Sequence, residues 1–147
     1  AVEAAVADVA RYDIFELSEA WLGGDAPRTV RILRALEAAG EGVTLPVWQL
    51  SEDVHALAAV VTQMRNGMSL DTAIKTARVW GKRQNALERA ARRVPPSIVA
   101  PLLLAIARLD ALAKGIGHGR VWDELATTGL ALAGTTVAPL PVPAGAS

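Results

Sequence analysis

Between Val47 and Met64, apolar side chains return at steps of three, four, three, four and three: Val47, Leu50, Val54, Leu57, Val61 and Met64. That period belongs to an α-helix and places all six on one face. The pattern recurs in Ile14, Leu17 and Trp21, in Val30, Leu33 and Leu36, and in Ile98, Leu102, Ile106, Leu109 and Leu112. No stretch sustains the two-residue alternation of a strand, and no glycine-rich phosphate loop follows one. The spacing therefore predicts an all-α fold, a compact helical bundle of about six to eight helices.

Punctuation divides the helices. Asp13 is a candidate N-cap for a helix that Gly23-Gly24 ends, and Asp25 with Pro27 opens the next, which runs to Gly40 and Gly42. Pro46 is compatible with the long helix from Leu45 to Met64 because it falls in the first turn. Asn66-Gly67 closes that helix, Ser69 caps a short one through Thr76, and another is predicted from Lys82 to Arg93. Pro95-Pro96 breaks the chain, Gly115-Ile116-Gly117-His118-Gly119 ends the next helix, and the last spans Val121 to Leu132. With 147 residues, 1–134 are expected to form one helical domain and 135–147 a flexible Pro-rich tail.

Several kinds of chemistry are excluded by composition. The chain has no cysteine, which removes disulfides, thiolate metal sites and cysteine nucleophiles and favours a cytoplasmic location. His55 and His118 are its only histidines and show no carboxylate–histidine spacing, so neither a metal nor a cofactor is expected. Glu52-Asp53 and Asp123-Glu124 are adjacent carboxylates, which diverge on a helix and make no acid–base pair. No catalytic residue is assigned. The first residues include Glu3 and Asp8 and lack the basic, then apolar order of a secretory signal; the missing initial Met suggests a piece of a longer protein. Leu125 to Ser147 is uncharged and long enough to span a bilayer, yet Thr127, Thr128, Gly129 and Gly134 interrupt it and Pro139, Pro141 and Pro143 forbid a regular helix at its end, so no membrane is expected.

The net charge of zero conceals a division. Residues 1–62 carry ten acidic and four basic side chains, and residues 63–122 carry three and eleven. The densest run contains Lys75, Arg78, Lys82, Arg83, Arg89, Arg92 and Arg93 against Glu88 alone. It reads either as a solvated helix face paired within the chain or as a phosphate-binding surface. Trp21, Trp80 and Trp122 read as structural anchors; for Trp80, between Arg78 and Lys82-Arg83, a buried wedge between helices competes with base stacking. His118, beside Arg120, reads as an exposed turn residue.

Taken in order, Val9-Ala10-Arg11-Tyr12-Asp13-Ile14-Phe15-Glu16-Leu17, Ala20-Trp21-Leu22-Gly23-Gly24-Asp25, Ile32-Leu33-Arg34-Ala35-Leu36, the helix from Leu45 to Met64, Arg78-Val79-Trp80 with Lys82-Arg83, and Val121-Trp122-Asp123-Glu124-Leu125 after Lys114 carry a resemblance over residues 3–133. The chain resembles the C-terminal collar domain of the delta subunit of the bacterial DNA polymerase III clamp loader. The resemblance implies a non-catalytic assembly module in DNA replication, with delta-prime and gamma/tau type subunits as partners. The sliding clamp would be reached only through N-terminal AAA+-like domains absent from this sequence. It also implies primer–template DNA near the loop before the final helix, where Lys114, His118 and Arg120 stand without the expected aromatic side chain. On these grounds Arg78, Lys82, Arg83, Lys114, His118 and Arg120 are the candidate contact residues. Two alternatives are a stand-alone nucleic-acid-binding module and a small all-α enzyme with a pocket lined by Arg and Lys.

Overall fold

The computed structural model of the chain describes residues 2–135, with side chains from Asp13 onward. Seven α-helices make up the described residues, with no strand: α1 (Val2–Gly23), α2 (Ala26–Ala38), α3 (Thr44–Arg65), α4 (Leu70–Thr76), α5 (Lys82–Arg93), α6 (Val99–Ala113) and α7 (Val121–Ala133). A single 3₁₀ turn, Pro96–Ile98, follows the proline pair and leads into α6. The expected tail lies outside the described residues, apart from Thr135.

The predicted punctuation is visible atom by atom. The Asp25 carboxylate accepts a bond from the Arg28 N–H at 3.1 Å, and the Ser69 hydroxyl accepts one from the Thr72 N–H at 3.2 Å, each satisfying an amide that the first helical turn leaves unpaired. Asp13 is a correction. It lies well inside α1, which begins at Val2, so it caps nothing. The apolar run upstream continues the helix, and helix continuity outweighs a capping residue type.

α3 is the central element. It packs on α1, α5 and α6 through the predicted stripe, with Leu50, Val54 and Leu57 fully buried. α1 packs on α2, α3, α5 and α7. Its contact with α7 is close because position 129 is glycine: a Cβ there would stand 3.1 Å from the Trp21 ring. The span Pro96–Ala113 is long and apolar enough by composition to cross a membrane. Arg108 and Asp110 interrupt it, and Leu102, Ala105, Ile106 and Leu109 are buried in the common core, while Leu104 is exposed.

α5 runs beside α1 in the same direction. Arg83 meets Ser18, Arg89 lies against Gly23, and Arg93 lies against Gly24. The Arg93 guanidinium donates to the carbonyls of Trp21 and Leu22, at 3.4 and 3.1 Å, placing a cation on the negative end of α1. Burial lowers its pKa from the usual guanidinium value. The same group abuts Gly134, the left-handed cap of α7, where φ is 96° and a Cβ would come within 2.9 Å of it. Gly134→Ala is therefore expected to lower the unfolding free energy by about 1–2 kcal/mol through backbone strain alone, measurable by urea denaturation.

Candidate functional site

Among the described residues, a buried polar cluster lies beneath a group of exposed apolar side chains. Asp53, on the buried face of α3, is fully buried. A carboxylate in that position is tolerated only when paired and fully hydrogen-bonded. One oxygen accepts from the Ser18 hydroxyl at 2.7 Å and the Trp21 indole N–H at 2.8 Å; the other accepts from the Gln49 amide at 3.1 Å and from Arg83 at 2.8 Å. Arg83 also donates to Ser18 at 2.9 Å. The cluster joins α1, α3 and the first turn of α5. No buried side-chain nitrogen or oxygen among the described residues lacks a partner.

Arg83 thus fixes the start of α5, and with it the turn that precedes it. In that turn Val79 is buried while Trp80 is 73 % exposed. Arg78 has φ 55° and Gly81 has φ 69°, so the backbone enters the left-handed region on both sides of the Val79-Trp80 pair. Arg78 directly follows the C-cap of α4, a position where glycine is the usual residue. A non-glycine residue held there costs about 1–2 kcal/mol. We expect Arg78→Gly to leave stability unchanged or raise it by up to about 1 kcal/mol, as read from the urea midpoint, while removing a cation from the surface.

Around this turn three rings face solvent. Phe15 and Trp48 are each 54 % exposed, and Leu45 extends the patch. Two open grooves meet at Phe15 and Arg83. One, of ≈ 350 Å³, is lined by Phe15, Glu19, Arg78, Trp80, Lys82 and Arg83; the other, of ≈ 430 Å³, by Ile14, Phe15, Leu45, Trp48, Gln49 and Arg83. Exposed aromatic side chains adjoining one another on a rigid support are the composition of a protein-binding hot spot.

The six candidate contact residues fall in two places. Arg78, Lys82 and Arg83 converge with Trp80, whereas Lys114, His118 and Arg120 sit on the exposed turn between α6 and α7. That turn is held by Arg108, which pairs through two nitrogens with Glu124 and donates to the His118 carbonyl at 2.9 Å. The Glu124 hydrogen bond, with its charge, raises the Arg108 pKa. His118 contributes its main chain to this arrangement. Lys114 pairs with Asp110 at 2.8 Å and Arg120 with Asp123 at 3.5 Å, exposed contacts that add little stability.

Two corrections follow. Trp80 is not a buried anchor, because Val79 takes the inward position of the turn; Trp21 is fully buried, and Trp122 is half-buried against the core. Arg83 is not an open contact cation, since its side chain is only 26 % exposed and Asp53 holds it. The dense basic run is largely committed elsewhere as well: Lys75 pairs with Asp71, Arg92 with Glu88, and Arg93 caps α1. Arg78 and Lys82 form no ion pair with any described residue.

Sequence reasoning missed Phe15, Leu45 and Trp48. A signal was present, because Phe15 and Trp48 sit one residue beyond the apolar stripes at Ile14 and Val47, roughly 100° around the helix. A large ring off-stripe is either an error of register or a second surface. Among the described residues no cluster of three or more His, Asp or Glu forms a metal site. No family model, curated protein or solved structure matches the chain.

Proposed function

We propose that the chain is a non-catalytic assembly module of the bacterial clamp-loader kind, a delta-subunit collar domain that binds delta-prime and gamma/tau type subunits through the Phe15–Trp48–Trp80 face. One observation carries this reading: the tripeptide Arg78-Val79-Trp80, part of the resemblance, presents its ring to solvent beside two further exposed rings, on a backbone fixed from below by Arg83 and Asp53. A core residue has no need of that exposure, and a partner supplies the missing burial. The same role places the chain in the cytoplasm.

Mixing the domain with the sibling subunits and separating the mixture by size-exclusion chromatography tests the proposal. Co-migration is expected; a folded domain that elutes alone with each of them overturns it.

A second reading is favoured by the single exposed Trp80 ring between Arg78 and Lys82, in which the ring stacks on primer–template DNA. With Arg78 and Lys82 the uncommitted cations among the described residues of the face, the logarithm of the binding constant should fall against log salt with a slope of about −2, far shallower than for the full basic run. Fluorescence anisotropy of labelled primer–template at two salt concentrations measures it. No binding at low salt removes the DNA reading and leaves the subunit reading standing.

A further inference from the structure

The two grooves of the aromatic face differ in charge. In the Leu45–Trp48 groove the polar side chains, Gln49 and Arg83, are both bonded to Asp53, so Ile14, Phe15, Leu45 and Trp48 are left to meet a ligand. The Trp80 groove shares Phe15 and adds Arg78 and Lys82, neither of them paired with a described residue. Its one acidic lining residue, Glu19, lies 3.9 Å from Arg28. We propose that this face takes an acidic segment of a partner protein, with apolar anchor side chains in the Leu45–Trp48 groove and carboxylates against Arg78 and Lys82. The inference rests on the reading of the face as a protein-docking surface and adds the chemistry and the direction of what docks.

Both free cations stand where the fold gains nothing from them. Arg78 holds a φ of 55°, a conformation that favours glycine. Lys82 opens α5, at the positive end of its dipole, with no acid in the first turn to offset it. Arg83 beside it is accounted for by Asp53, and Lys82 has no such partner. Residues kept against local preference mark a site whose use lies outside the fold.

Each groove accepts a different group. Covering Phe15, Leu45 and Trp48 with apolar side chains removes their exposed surface from water and strands no charge, because Arg83 is already satisfied. An apolar segment laid over Arg78 and Lys82 would strip water from two cations and return nothing, and a basic one would add repulsion. Carboxylates answer both cations and set which end of the segment lies at Trp80. Nucleic acid is also anionic, but its charge runs evenly along the backbone, and over the Leu45–Trp48 groove its phosphates would meet no uncommitted cation of the lining. The exposed cations therefore govern encounter and direction, and the rings govern how long the segment stays.

Panning a phage library of random dodecapeptides on the immobilised domain, with Trp48→Ala as the counter-selection, tests this pairing. Enriched peptides are expected to carry Asp or Glu clustered to one side of large apolar residues. On a biosensor, association of one such peptide should slow about tenfold when Arg78→Glu and Lys82→Glu are combined, whereas Trp48→Ala should speed its dissociation about tenfold. Fresh panning on the charge-reversed variant should return basic peptides. The indole resonance of Trp21, bonded to Asp53, reports that each variant is folded. Enrichment with no preference for acid, acidic peptides again from the reversed variant, or no enrichment on the parent overturns the proposal. So does tighter binding of a single-stranded oligonucleotide than of any selected peptide at physiological salt, which assigns the face to nucleic acid. Acidic peptides selected by a domain that elutes apart from the sibling subunits would remove the clamp-loader reading and support this one; sibling co-migration unaffected by charge reversal would do the opposite.

Discussion

Asp53→Ala is expected to lower the free energy of unfolding by about 3–5 kcal/mol, the cost of removing one partner of a buried ion pair and leaving the other. The loss is large because one side chain accepts from Ser18, Trp21, Gln49 and Arg83 together, and alanine orphans all four donors at once. Against a total stability of roughly 5–15 kcal/mol for a domain of ordinary size, such a variant stands close to its unfolding threshold at room temperature. In urea denaturation the expected signature is a lowered midpoint with an unchanged slope. Arg83→Met is expected to cost a similar amount by leaving the Asp53 charge without a counterion, whereas Asp53→Ala combined with Arg83→Met is expected to cost less than the sum of the two single changes. Strict additivity in that double-mutant cycle would show that the two side chains do not act as a unit.

Trp48→Ala and Trp80→Ala divide the molecule differently. Neither ring contributes to the buried core, so stability should change by less than about 0.5 kcal/mol. Binding to a sibling subunit should weaken by about 2 kcal/mol or more for each, near thirtyfold in Kd by isothermal titration calorimetry. Equal loss of stability and affinity would mean that the rings act through folding. Unchanged affinity in both variants would remove this face as the interface.

Much of the architecture is legible in the sequence because helices are local. The three–four spacing of the α3 stripe, the Pro46 and Pro95-Pro96 positions and the glycines that end several runs follow from backbone sterics and period alone, and the element boundaries agree within a few residues except at the start of α1, expected at Asp13 and found at Val2. The site is legible only in part. Asp53 lies three residues beyond Leu50 and four before Leu57, on the stripe itself, and a carboxylate there signals a buried partner; Arg83 is thirty residues away, and nothing local identifies it. Trp80 failed for a different reason. Its cationic neighbours fit a wedge or a contact surface equally well, and the side of the turn it occupies is set by Val79 entering the core. Arg78 in a glycine conformation is the clue to that strained turn, visible only once the end of α4 is fixed.

The countercharge for Asp53 comes late in the chain. A fragment ending at Arg65 would contain α1, α2 and α3 with their apolar faces intact, yet its most deeply buried carboxylate would have no cation to meet it. The helices up to Arg65 are therefore not expected to fold as an independent unit. During synthesis their final arrangement is expected only after Arg83 has left the ribosome.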